Sequence, residues 1–197
     1  MPSRRIPQQE RSREMVDRLL DAAASVLAED GYQRASTNRI AEAAGVSPGS
    51  LYRYFDDKDA IVTALGHRLV EDFATAITPA LRAATLRPRD EAIRLMSGAV
   101  LDALESHAPL LRAIVDRVPP DEQADALREV QSRIFDATYA LLAVHSQADD
   151  PAQLEAAAWM IVQSSQHLSV RWVLDAPGIP REAMIDGLER VITALIP

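Results

Sequence analysis

The residues best equipped for chemistry are Ser47, Gly49, Ser50, Tyr52, Arg53 and Tyr54, with Lys58 four positions further on. Hydroxyls and a guanidinium donate hydrogen bonds to phosphate oxygens, and arginine pairs with the acceptor edge of guanine in a major groove. From Ser47 to Tyr54 no acid stands among them to repel a polyanion. A glycine beside a helix start lets backbone amides approach a phosphate closely. The set suits a duplex: backbone contacts to position it, base edges to read it.

Two short helices joined by a tight turn must carry these side chains. The stretch 36–58 reads STNRIAEAAGVSPGSLYRYFDDK. Ser36 or Thr37 caps the first helix by accepting an orphan amide proton. Ile40, Ala41 and Ala44 line its apolar face, and Gly45 tolerates the left-handed conformation that ends it. Val46 fills the turn, Ser47 caps the second helix, and Pro48 occupies its first position, where a missing N–H costs nothing. Leu51 and Phe55, four apart, point inward together. Gly49, Ser50, Tyr52, Arg53 and Tyr54 are left facing out. The bland reading is a helical hairpin whose polar face is merely solvated.

The residue order argues against that. The run IAEAAGVSPGSLYRYFDDKDAI resembles the DNA-binding signature of TetR/AcrR-family transcriptional regulators. The matching features are Ile40-Ala41, Ala44-Gly45-Val46-Ser47, Gly49, Leu51-Tyr52, Tyr54-Phe55 and Lys58, with Gly31-Tyr32 upstream. The resemblance is motif-specific over residues 11–65 and architectural beyond. It implies DNA contacts from Thr37, Asn38, Ser47, Pro48, Gly49, Ser50, Tyr52, Arg53, Tyr54 and Lys58, the last to phosphate. It also implies a homodimeric repressor of a palindromic operator, released by a small hydrophobic effector.

The net charge of −8 becomes intelligible once divided along the chain. Residues 1–58 hold 9 Lys+Arg and 9 Asp+Glu, whereas residues 59–197 hold 12 and 20. An acidic body repels DNA in most orientations and leaves the neutral end to approach it. Lys58 is the one lysine in the chain. We therefore expect a DNA-binding domain over 1–58 and an effector-binding and dimerisation domain over 59–197. With no cysteine there are no disulfides or thiolate metal sites. No apolar run approaches the ~20 residues of a membrane span, and the first residues lack the apolar core of a signal peptide. A cytoplasmic location, without membrane contact, is the expectation.

Elsewhere the periodicity is helical throughout, predicting an all-α chain of about nine helices. The first, over 11–30, buries Val16, Leu19, Leu20, Ala23, Val26 and Leu27, with Gly31 stopping it. Arg4, Arg5, Arg11 and Arg13 are further candidates for phosphate contact. After Lys58 a long helix carries Ile61, Leu65, Leu69, Phe73 and Ile77, with Pro79 bending or ending it. Further helices are expected over about 90–106, from Leu110 to Val115, from Pro120 or Asp121 to about Val144, from Pro151 to Leu174, and from Arg181 to about Ile196.

The last two helices carry more apolar surface than one core needs, which suggests a four-helix bundle across a two-fold axis. Val170, Trp172, Met184, Ile185, Leu188, Ile192 and Leu195 are its candidate residues. Candidates for an adaptable ligand pocket are Met96, Val100, Leu111, Phe135, Tyr139, Trp159, Met160, Gln163 and His167, each of which also suits ordinary packing. An enzyme is the rival class. His67, His107, His145 and His167 lack the spacing of a zinc site, and no nucleophile elbow or phosphate-cradling loop occurs. No catalytic residue, metal or cofactor is expected. The other rival is a helical interaction module that no longer reads DNA.

Overall fold

The computed structural model describes residues 8–115, 132, 134–143 and 150–196, which form helices and turns with no strand among them. In order these are α1 (Gln8–Arg34), α2 (Thr37–Ala43), α3 (Pro48–Leu51), α4 (Lys58–Ala84), α5 (Arg89–Ser106) and α6 (Ala108–Val115). There follow α7, described over 134–143, then α8 (Pro151–Asp175) and α9 (Arg181–Leu195). The all-α class expected from the periodicity is what the chain adopts. No helix among the described residues is long and apolar enough to cross a membrane.

The chain divides into two compact units. One contains α1 to α3, α4 as far as Arg68, and α6 from Pro109; the other contains α4 from Leu69, α5, and α7 to α9. The division falls inside α4, whereas the charge pattern suggested a joint at its first residue.

In the first unit, α1 packs on α2 and α2 on α3. Leu19, Leu27, Ile40, Leu51, Ile61 and Leu65 are fully buried there. Apolar side chains at helical spacing have no reason to face water when a second helix can cover them. Gly31 breaks the regular path of α1 with φ 71 and ψ 166, and one further turn reaches Arg34. Gly45 (φ 64) ends the α2 turn, and a Cβ there would meet Arg18 Nη2 at 3.0 Å. Ion pairs Arg39–Asp30 at 2.6 Å and Arg68–Asp21 at 2.8 Å brace the outside.

In the second unit α5, α8 and α9 pack on one another. Two arginines clamp α5 to α9 in opposite directions. Arg94 of α5 reaches Asp186 at 2.5 Å, Glu189 at 2.8 Å and Glu182 at 3.2 Å. The hydrogen bonds from Asp186 and then Glu189 push the Arg94 guanidinium pKa upward. Arg181 of α9 donates to the Gly98 carbonyl at 3.1 Å and pairs with Asp102. Arg181 at the start of α9 thus meets Asp102 in the later part of α5, while Arg94 nearer the start of α5 reaches as far along α9 as Glu189, so the two helices run antiparallel. A core of Leu142, Leu154, Ala157, Ala158 and Ile161 is covered by Phe135, Tyr139, Ile192, Leu195 and Ile196.

Helix ends follow local chemistry. Asp150 caps α8 through the Ala152 amide at 3.0 Å, and Ala176, at φ 45, ends it in the left-handed region. The Trp172 indole N–H donates to the Ile179 carbonyl at 3.0 Å and closes the turn into α9. Pro79 does not stop α4, which runs on to Ala84. The missing amide removes one hydrogen bond, while Ile77 and Ala84, both buried, hold the turns on either side. The expected helix start at Pro120 or Asp121, with Arg4, Arg5 and His145, lies outside the described residues.

Candidate nucleic-acid interface

Two serine caps build the reading surface. Ser36 Oγ accepts from the Arg39 amide at 3.3 Å and starts α2. Ser47 Oγ accepts from the Ser50 amide at 3.2 Å and lies 2.9 Å from the Ser50 hydroxyl, so α3 begins where Pro48 permits. Leu51 and Phe55 turn inward and are buried. That orientation leaves Ser47, Pro48, Gly49 and Arg53 exposed, Ser50 and Tyr54 half-buried, and Tyr52 50% exposed. Asn38 is exposed on α2, and the Thr37 hydroxyl sits 2.9 Å from the Tyr52 hydroxyl. Thr37 therefore orients the Tyr52 phenol across the gap between the two helices. These residues present donors, and exposed Asp56 and Asp57 follow them in the chain. Arg11 and Arg13 are exposed on α1.

Lys58 is placed differently from a free phosphate-seeking lysine. Its ammonium donates to the Tyr32 carbonyl at 2.9 Å and the Ala35 carbonyl at 3.2 Å. It also lies 3.8 Å from the centre of the Tyr32 ring. Two of its three donors are thus taken within the protein, leaving one for any phosphate. Tyr32 and Asp59, which sequence reasoning did not single out for function, complete this arrangement, the Tyr32 hydroxyl donating to the Asp59 carboxylate. The signal available for them was the Gly31-Tyr32 pair followed, after the reading helices, by Lys58-Asp59.

In the second unit the pocket candidates do not stay together. Met96, Val100, Phe135, Tyr139 and Gln163 are half-buried, and the Phe135 and Tyr139 rings stack with centroids 6.3 Å apart. Trp159, 58% exposed, with Met160 and His167, faces out of the single chain. The buried stripe of α8 is Leu154, Ala157, Ala158, Ile161, Val162, Ser169 and Val173, and each step along a helix turns the side chain by about 100°. Trp159 and Met160 follow buried Ala158 and so emerge on other faces. Leu111 belongs to α6 in the first unit. Of the dimer candidates, Ile185 and Leu188 are used by the chain's own core. Val170, Trp172, Met184, Ile192 and Leu195 are half-buried; Val191 on α9, outside that set, is exposed.

Comparison with known proteins accords with this arrangement. Residues 19–65 match the profile described as bacterial regulatory proteins, tetR family. Residues 88–195 match a tetracyclin repressor-like C-terminal domain. An HTH-type transcriptional regulator of Mycobacterium tuberculosis is 30% identical over 197 residues, covering 95% of this chain and 97% of that protein. The fatty acid metabolism regulator protein of Bacillus subtilis is 43% identical over 47 residues, only 24% of either chain. The crystal structure of a TetR-family regulator from Mesorhizobium loti superposes with TM-score 0.75 at 17% identity, covering 94% of this chain and 96% of that one. A helix-turn-helix unit with donors facing out, matched along with the helical second unit, makes the chain a transcriptional regulator rather than an enzyme, and it belongs to the tetR family of bacterial regulatory proteins.

Proposed function

We propose that this regulator is a cytoplasmic homodimeric repressor. Each head lays the outward face of α3 in a major groove of a palindromic operator, and a small hydrophobic effector bound by the second unit releases it. The observation that carries the DNA reading is the outward set of Ser47, Gly49, Ser50, Tyr52 and Arg53, on α3 and the residues that flank it, a segment anchored by buried Leu51 and Phe55. Ser47, Ser50, Tyr52 and Tyr54 supply phosphate contacts, Arg53 reads a base edge, and Thr37, Asn38 and Pro48 flank them at the groove wall. Pairing is supported by the apolar side chains that a single chain leaves uncovered, Trp159, Met160 and Leu168 on α8 and Val191 on α9. Two heads then meet successive grooves if held about 34–36 Å apart. Half-buried Met96, Val100, Phe135, Tyr139 and Gln163 support an apolar effector with one polar contact.

The test begins with duplexes that the wild-type chain selects from random DNA. Arg53→Ala is expected to weaken binding by about 1–3 kcal/mol and to relax preference at one base position. Unchanged affinity and preference would sink the assignment. Gly49→Ala separates reading from folding. The nearest atom to an added Cβ is Ser47 Oγ at 4.0 Å, so the free protein has room for it. Alanine also favours a helix over glycine by roughly 0.5–1 kcal/mol. The variant should therefore melt no lower than the parent yet bind operator more weakly, because the methyl group stands where a phosphate approaches. Release is checked by titrating the operator complex with a panel of apolar small molecules, and a complex indifferent to all of them counts against effector control.

A further inference from the structure

We infer that Ser165 and Ser169 of α8 are the polar end of the effector site, two hydroxyls that together hold the carbonyl oxygen of a neutral, otherwise apolar ligand. The inference rests on the effector reading above and adds to it the group the ligand must carry. Both hydroxyl oxygens are buried, and neither has a hydrogen-bond partner among the described residues. Ser169 is 0% exposed. Other helical hydroxyls in the second unit do not stay idle. Thr78, Thr138 and Ser164 each donate to the carbonyl four residues back, at 2.7, 2.8 and 2.5 Å. Ser165 and Ser169 forgo that bond. A buried donor without a partner costs free energy that an alanine in its place would not, so the pair is poised for a partner from outside the chain.

Position on the helix tells what that partner is. Ile161, Ser169 and Val173 belong to the buried stripe of α8, and Ser165, four residues from both Ile161 and Ser169, continues it. Ile161 is also part of the cluster against which Phe135 and Tyr139 pack. The two hydroxyls therefore end an apolar wall. Residues four apart on a helix have Cβ atoms about 5–6 Å apart. One oxygen between them can accept from both hydroxyls at ordinary distances of about 2.7–2.8 Å. A carbonyl oxygen has two lone pairs for this and no charge. Charge decides the class of ligand. Ser97 and Ser169 are the only polar residues buried among the described ones, so no buried ionic side chain there offsets an ionised head. Desolvating a carboxylate or an ammonium without a counter-charge outweighs two neutral hydrogen bonds. Ketones, esters and lactones with an apolar body fit; fatty-acid anions and quaternary ammonium ions do not.

The full chain is titrated with methyl nonyl ketone, decanoate and decyltrimethylammonium at about pH 8, where the acid is ionised. Binding is followed by the fluorescence of Trp159 and Trp172, both on α8. The parent is expected to bind the ketone about tenfold or more tightly than either ion. Ser165→Ala and Ser169→Ala should each weaken ketone binding by about three- to tenfold, the net worth of one neutral hydrogen bond, and leave both ions as they were. Each variant should also melt no lower than the parent, because an idle hydroxyl is removed and alanine favours the helix. A lowered melting temperature means that the hydroxyl is already bonded in the free protein, to a buried water or otherwise, and overturns the inference. So does ketone affinity unchanged in Ser169→Ala, or a parent that binds an ion as tightly as the ketone; in those cases the effector reading stands. A parent that binds none of the three overturns the inference, and the effector reading falls with it only if the wider panel of apolar molecules also fails to release the operator.

Discussion

A Val191→Glu chain is expected to sediment as a folded monomer and to bind operator at least about a hundredfold more weakly than the parent, since linked sites gain about 10²–10⁴ over single ones. Val191 is 37% exposed on α9, so its replacement leaves no cavity in the chain's own core, which Ile185 and Leu188 fill. In a two-fold pair the new carboxylate would be buried opposite its twin or near it. Unpaired charges in an apolar contact are costly to desolvate. The surface of α9 already carries Glu182, Asp186 and Glu189, against which the clamp sets Arg94. A further negative charge there adds repulsion rather than a partner. Loss of pairing removes the gain from binding two half-sites at once, and each head alone has too small a set of contacts to compensate. Sedimentation with circular dichroism checks the first part and an operator titration the second. A variant that remains dimeric, or a parent that is monomeric, would refute the proposed interface.

Leu51→Ala is expected to cost the reading head about 2–5 kcal/mol, the range for emptying a well-packed leucine site. Leu51 is 0% exposed and, with Phe55, is what turns the rest of the segment outward. Helix α3 has only four residues, far fewer than an isolated helix needs to persist in water. Its conformation is therefore held by tertiary packing, and losing the central anchor takes a large share of a domain stability of about 5–15 kcal/mol. Denaturant unfolding measures the loss directly. Operator binding should fall with temperature in step with unfolding, whereas Arg53→Ala should weaken binding at every temperature without moving the melt. A melt unchanged in Leu51→Ala would mean that α3 does not depend on its buried side.

Much of this was legible in the order of residues because the signals are short-ranged. Ser36 and Ser47 cap helices through amides three residues on, and Gly45 supplies the left-handed turn between them. Leu51 and Phe55 share a face by spacing alone, which fixes Tyr52 and Arg53 outward. Each inference needs only neighbours within one helical turn. The apolar stripe of α1 follows from the same rule.

Other features depended on partners distant in the chain. Lys58 finds carbonyls 26 and 23 residues upstream, Tyr52 meets Thr37 15 positions away, and Arg94 meets α9 across 92 and 95. Helices α8 and α9 are apolar around much of their circumference, so periodicity left open which residues would face inward; Trp159 and Met160 came out exposed while Ile185 and Leu188 went in. Sequence alone determined the all-helical class, the helix-turn-helix and its outward donors, because helix caps and 3.6-residue spacing act locally. Only the tertiary structure decided which broad apolar faces were covered and which charges were tied down, because those outcomes depend on what another helix brings against them.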